Sequence, residues 1–208
     1  MELSELTVRS FANLLGSDAP APGGGSAAAL AGSLGAALAA MVSALTLGRK
    51  KYADFQEIAQ SGIERGSALK EALLEAMERD TAVFNEFSAA MALPKETPEE
   101  KEARSAAMQK ALALCIESPL HVMELTFEAM KLVSELLGKT NANALSDLGV
   151  GSLMLGTAVQ GAWLNVLINL GGLKDEAAAA AYRAKGENLL NDTLNLSRDV
   201  YEKVVQAL

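Results

Sequence analysis

Residues that usually announce chemistry are scarce in this chain. It has one cysteine, Cys115, and one histidine, His121. A single cysteine excludes an internal disulfide and a cysteine-rich metal site, and it suits a reducing, cytoplasmic setting. His121 has no second histidine, thiol or carboxylate at ligand spacing, so no metal is expected and it reads as a helix-start residue beside Pro119. Positive charge is also short: 18 Lys and Arg stand against 26 Asp and Glu, a formal charge of −8. Nucleic acid and anionic membranes both require basic patches, so neither is expected as the main partner.

Half of the residues are hydrophobic, much of that alanine, while aromatics are only 4%. Alanine, leucine and glutamate favour helices packed closely on helices. The 208 residues suit one domain over 1–208 that buries a sizeable core. Two stretches, Ala19–Gly48 and Leu148–Leu173, are uncharged over a membrane-spanning length. The first is mostly Ala, Gly and Ser and starts behind Glu2, Glu5 and Asp18, too late for a signal peptide. The second carries Gln160, Asn165 and Asn169. Both are expected as buried helices of a bundle, not as spans.

Apolar spacing follows the helical period throughout, with no alternating strand, and predicts an all-α bundle with long helices. Helices are expected over about Thr7–Leu15, Ser26–Leu47 (closed by Gly48) and Asp54–Met91, the last capped by Asp54 and bent near Gly62 and Gly66. Thr97-Pro98-Glu99-Glu100 is a capping box with proline at the first helical position. Pro119 should interrupt or kink the helix that follows, and Gly138 should close it. Asp147–Leu170 and Asp175–Val205 complete the chain, with Ser146-Asp147 and Asp175 as caps. Small residues at Ala28, Gly32, Ala36 and Ala40 form a ridge on one face, which lets another helix approach closely, within the subunit or across a dimer.

Three places carry candidate chemistry. Gly23-Gly24-Gly25-Ser26 opens a helix, where free N–H groups and the dipole hold an anion; the alternative is a tight turn with Ser26 as N-cap. A ligand carboxylate is the expected anion. Asp80 lies on the apolar stripe Leu69, Leu73, Met77, Phe84, Phe87 and Met91. A carboxylate there is costly unless it is paired with Arg or Lys, rotated to the surface, or kept for function. Asn165 and Asn169 lie one turn apart in an apolar helix beside Trp163, as in a polar pocket.

Taken together, Pro22-Gly23-Gly24-Gly25-Ser26, Gly48-Arg49-Lys50-Lys51-Tyr52, Asp80 with Phe84, Leu93-Pro94-Lys95, Asn141 through Ser146-Asp147, and Gly161-Ala162 with Asn165-Val166 and Asn169 resemble the folate cyclodeaminase/cyclohydrolase family over nearly the whole chain. The resemblance implies an all-helical homodimer that takes a tetrahydrofolate derivative as substrate, with no further cofactor. The activity it implies is conversion of 5-formimidoyltetrahydrofolate to 5,10-methenyltetrahydrofolate and ammonia; the alternatives are hydrolysis of the methenyl compound to 10-formyltetrahydrofolate or non-catalytic folate binding. It adds weight to Asp80 and Asp147 as the acid/base pair. Asn141, Asn143, Asn165 and Asn169 would orient the pterin or one-carbon unit. The glycine turn, Lys50 and Lys51 would hold the anionic benzoyl-glutamate end.

Overall fold

The computed structural model describes residues 2–208, and among them no strand is present. Six α-helices follow in order: α1 (Val8–Leu15), α2 (Gly24–Ala44), α3 (Gln56–Met91), α4 (Pro98–Leu136), α5 (Leu145–Leu170) and α6 (Glu176–Ala207). The all-α expectation therefore holds.

Local chemistry explains most of the ends. Thr7 accepts from the Ser10 N–H at 3.1 Å, and Asp175 accepts from the Ala178 N–H at 2.9 Å. The capping box forms reciprocally: Glu100 N–H donates to Thr97 Oγ1 at 3.2 Å, and Thr97 N–H donates to Glu100 Oε2 at 3.1 Å. Gly48 and Gly138 follow α2 and α4 with φ of +74° and +75°, a left-handed conformation that side chains resist.

Three expected caps are not caps. Residues Lys50–Phe55 form a 3-10 turn that feeds directly into α3, so Asp54 lies inside a winding that already satisfies the first N–H groups. A similar turn, Ala142–Ala144, runs into α5, which places Ser146 and Asp147 within the first helical turn. There the capping side chain is Asn141, which accepts from the Asn143 N–H at 3.1 Å. Ser26 is the third residue of α2, whose N-cap is Gly23 in extended conformation, and its hydroxyl is used elsewhere.

Helix α2 sits at the centre, packed on α3, α5 and α4. Its small residues allow this within one subunit. Gly66 of α3 lies against Ala36 and Ala40, and a Cβ on Gly35 would come within 2.9 Å of the Gly151 carbonyl of α5. Gly62 and Gly66 therefore serve close approach between helices. Helices α2 and α5 run antiparallel, with Gly24 beside Asn165 and Gly35 beside Gly151 and Leu155. Both are long and apolar enough to cross a membrane by length and composition, and half of the α2 window is buried in the bundle.

Pro119 does not end its helix: α4 runs unbroken from Pro98 to Leu136. A proline has no N–H, so the carbonyl four residues back, that of Cys115, loses its helical donor. Asn169 of α5 supplies the replacement, its Nδ2 donating to Cys115 O at 3.1 Å.

Candidate active site

A cavity of about 240 Å³ opens where the start of α2 meets α3, α4 and α5. The loop residues Pro20 and Ala21 close one side; Gly23–Gly25, Asp80, Thr81, Phe84, Phe87, Cys115, Asn165 and Asn169 line the rest. The α3 stripe explains how a carboxylate reaches it. Leu73 and Met77 are fully buried, but Phe84 is 37% exposed. The stripe thus leaves the core at Asp80, and its aromatic continuation becomes cavity wall.

Asp80 is half-buried, and the first turn of α2 holds it. Ser26 Oγ donates to Asp80 Oδ2 at 2.8 Å, and the Ser26 backbone N–H donates as well. A Cβ on Gly25 would fall inside the Asp80 carboxylate, so only glycine lets α3 deliver this group so close. Among the described residues no Lys, Arg or His forms a salt bridge with Asp80. Desolvation raises its pKa above the ordinary carboxylate value, and the two Ser26 hydrogen bonds oppose that only in part. The core ion pair weighed from the sequence is absent from this set of contacts. The glycine turn also departs from expectation: the anion at the start of α2 is the chain's own Asp80, so a ligand carboxylate placed there would meet a like charge.

Opposite Asp80 stand two amides with fixed orientation. Asn165 Nδ2 donates to Gly161 O at 2.9 Å, and Asn169 Nδ2 donates to Asn165 O at 2.8 Å and to Cys115 O. Carbonyl partners on the nitrogen side leave both Oδ1 atoms as acceptors. Carboxylate and amide oxygens together suit a cation or an N–H donor. The Cys115 thiol is pushed up to about 11 by burial and by Asp80 and Glu86, so it stays neutral and acts as wall. Among the described residues no three His, Cys, Asp or Glu side chains cluster as metal ligands would. His121 lies outside the cavity, on exposed α4 surface beside Glu124.

The remaining candidates gather elsewhere. Asp147 and Asn165 are both on α5, 18 residues apart, which is five turns or about 27 Å at 1.5 Å per residue. Lys50, Lys51, Asn141, Asn143 and Asp147 belong to that far end, where Asn141 N–H donates to Thr46 Oγ1 at 2.8 Å and Ala142 N–H to Tyr52 Oη at 2.9 Å. Within one chain the expected Asp80–Asp147 pair is therefore not brought together. Asn141 is 6% exposed and fully engaged, its Nδ2 on Leu45 O at 3.2 Å and its Oδ1 on the Asn143 N–H. It joins loops. Thr81, Phe87 and Cys115 are wall residues that the pattern reading missed as site residues; for Phe87 the continuing stripe was a usable signal.

Fold and cavity together define a class: a helical protein whose cleft is lined by a carboxylate, without a salt bridge among the described residues, and by two asparagines. The formiminotransferase-cyclodeaminase family matches residues 7–188, and the chain belongs to that family. A methenyltetrahydrofolate cyclohydrolase of Methylorubrum extorquens is 37% identical over 95% of both chains. The formimidoyltransferase-cyclodeaminases of Sus scrofa and Rattus norvegicus are 36% and 35% identical, but this chain spans only 34% and 35% of their lengths. The crystal structure of a formiminotetrahydrofolate cyclodeaminase of Thermotoga maritima superposes with a TM-score of 0.82 over 100% of this chain and 98% of that one, at 24% identity, and so shares the fold.

Proposed function

We propose that this chain is a tetrahydrofolate enzyme that closes the one-carbon bridge between N5 and N10, converting 5-formimidoyltetrahydrofolate to 5,10-methenyltetrahydrofolate and ammonia. The observation that carries this is Asp80: a half-buried carboxylate that forms no salt bridge among the described residues and lines one small cavity with Asn165 and Asn169. Both substrate and product of the step are cations at the one-carbon unit, which such a lining favours.

One carboxylate suffices for the proton traffic. N10 attacks the protonated formimidoyl carbon, giving a tetrahedral centre that carries an amino group. Asp80 removes the proton from N10 and delivers it to that nitrogen, which leaves as ammonia while the N5–C bond becomes part of the methenyl cation. Proton and charge balance, and Asp80 ends as it began. A raised pKa brings the carboxyl nearer to the neutral operating range, where such a shuttle works best. Asn165 and Asn169 would orient the one-carbon unit through Oδ1.

A second reading, hydrolysis of the methenyl compound, is favoured by the end-to-end match to the Methylorubrum cyclohydrolase. Water adds to the same carbon, and Asp80 takes one of its protons and passes it to N5; the C–N5 bond then breaks as the new hydroxyl becomes the formyl carbonyl and gives up its proton, with the cation's charge, to solvent. The ultraviolet band of 5,10-methenyltetrahydrofolate separates the two readings. Its growth from the formimidoyl substrate with ammonia release supports cyclodeamination; accelerated loss in water alone supports hydrolysis. Failure of both with folded protein refutes a catalytic role and leaves folate binding.

A further inference from the structure

Ser26 neither caps α2 nor lines the cavity. It is fully buried behind the wall that Gly23–Gly25, Asp80 and Thr81 form. A ligand in the cavity meets that wall first, so whatever Ser26 does for the reaction passes through a neighbour. The neighbour is Asp80. A serine hydroxyl has one proton, and this one goes to Asp80 Oδ2 at 2.8 Å. Thr81 Oγ1 lies 3.4 Å from the same hydroxyl oxygen; with the serine proton committed, Thr81 is the donor of that longer contact. The backbone N–H of Ser26 donates to Asp80 as well. Gly25 leaves room for the carboxylate, and Ser26 supplies the hold.

We propose that Ser26 is a positioning residue for the reaction: it fixes the Asp80 carboxylate against the first turn of α2 and keeps it in the proton-accepting form, without touching substrate. This rests on the folate reading above. The hydroxyl is matched to one form of its partner. An ionised carboxylate only accepts, and Ser26 offers it two donors from one residue. Protonating Oδ2 would weaken it as an acceptor. The other oxygen beside Ser26, Thr81 Oγ1, is at 3.4 Å, too far for a good hydroxyl hydrogen bond. The arrangement is therefore best satisfied with Asp80 ionised, as the base that opens the step must be.

Charged neighbours do not take over this work. Among the described residues no salt bridge reaches Asp80. Helices α2 and α5 carry no charged residue between 19 and 48 or between 148 and 173. Helix α4 presents the Cys115 thiol, which is neutral because burial, then Asp80 and Glu86, push it up to about 11. On α3 itself the nearby Arg79 and Glu86 are exposed. Burial raises the pKa of Asp80, and the hydrogen bonds from Ser26 are what oppose it. Without the hydroxyl the carboxyl would keep its proton to higher pH.

Ser26→Ala removes the hydroxyl alone, and alanine suits a helix, so circular dichroism should be unchanged. The acid limb of kcat/KM against pH should move up by about one pH unit, the size of one hydrogen bond to a charged group. The substrate's own titration is common to both proteins, so the difference belongs to the enzyme. With the side-chain anchor gone, kcat should fall about tenfold while KM stays within about twofold. The carbon-13 signal of the Asp80 carboxyl, assigned by its loss in Asp80→Asn, should titrate upward by the same amount, a readout that needs no turnover. Ser26→Cys, with a weaker donor, should move that signal upward by less and tests the same point should the alanine variant fail to fold. An unmoved limb or an unmoved carbon-13 titration overturns the proposal, whatever the rate. A KM that rises with kcat unchanged, the mark of a ligand contact, overturns it too. Either result with an active wild type sinks the positioning role alone. A folded wild type that turns over no folate sinks the functional reading and this assignment with it.

Discussion

At one end of the α2–α5 pair, Asn165 and Asn169 give their NH₂ groups to backbone carbonyls and keep an oxygen each for the cavity. At the other end, Asn141 engages both sides of its amide within the chain and is nearly inaccessible. The same residue type thus does opposite work. Where only the donor half is satisfied locally, the acceptor half remains for a ligand; where both halves are, the residue holds the structure. Asp80 extends the contrast, since it accepts from Ser26 and, among the described residues, forms no salt bridge, which leaves its charge available to a bound ligand.

The largest expected effect of breaking this contrast is at Asp80. Asp80→Asn keeps size and hydrogen bonding but cannot carry a proton, so turnover should fall by about 10² or more while folate still binds. Gly25→Ala should come close to it without touching the carboxylate chemically: the added methyl displaces Asp80, and misplacement of a reacting group by about 1 Å can cost 10²-fold. Retention of full turnover by either variant, measured per folded molecule, would remove Asp80 from the reaction.

The two kinds of asparagine separate on different measurements. Asn141→Ala removes the buried side chain that links Leu45 O to the Asn143 N–H and loosens the α2–α5 junction, so stability should fall by about 1–3 kcal/mol in denaturant melts. Asn165→Ala should leave the melt nearly unchanged and raise KM by up to about tenfold, the loss of one ordinary hydrogen bond. Exchanged outcomes would reverse the assignment of the two ends. Pro119→Ala sharpens the point from a distance. It restores an N–H to Cys115 O, frees Asn169 from that carbonyl, and should raise the melting temperature while weakening folate binding a few-fold. A higher melting temperature with unchanged KM would show that the carbonyl does not position Asn169.

How much of this could be read from the sequence follows from the range of the interactions. The Thr97–Glu100 box and Asp175 cap as expected because a cap needs only neighbours within one turn, and Thr7, expected as the first residue of its helix, caps it in the same local way. Ser26 looks like the same signal, but its hydroxyl goes to a residue 54 positions away, which no local pattern encodes. Asp80 was legible as a break in an apolar stripe, and that break marks the place where the stripe leaves the core for the cavity. The separation of Asp147 from Asn165 was also available, since helix length follows from residue count. It was masked because a shared family pattern groups residues without saying where in space they lie. Cys115 gave no local sign of facing a cavity, because an apolar run around a cysteine looks the same against core or cleft.

The smallest effect is on the pH dependence of stability, and its sign is the informative part. Burial holds the folded-state pKa of Asp80 above its unfolded value. Between those two values the folded chain binds more proton than the unfolded one, so stability falls as pH rises through the window. The contribution is complete below the ordinary carboxylate range and is lost once pH passes the folded-state pKa. Asp80→Asn removes the titration altogether. The variant should therefore match wild type in acid and melt higher at neutral pH, by on the order of 1 kcal/mol, the usual gain when a functional group poor for stability is replaced. For a chain of this size that is about 2–4 °C. The reversed result, wild type gaining on the variant as pH rises, would mean that a cation reaches Asp80 in the folded protein. Among the described residues no Lys, Arg or His forms a salt bridge with Asp80, so that outcome would overturn the reading of its charge as available to a ligand.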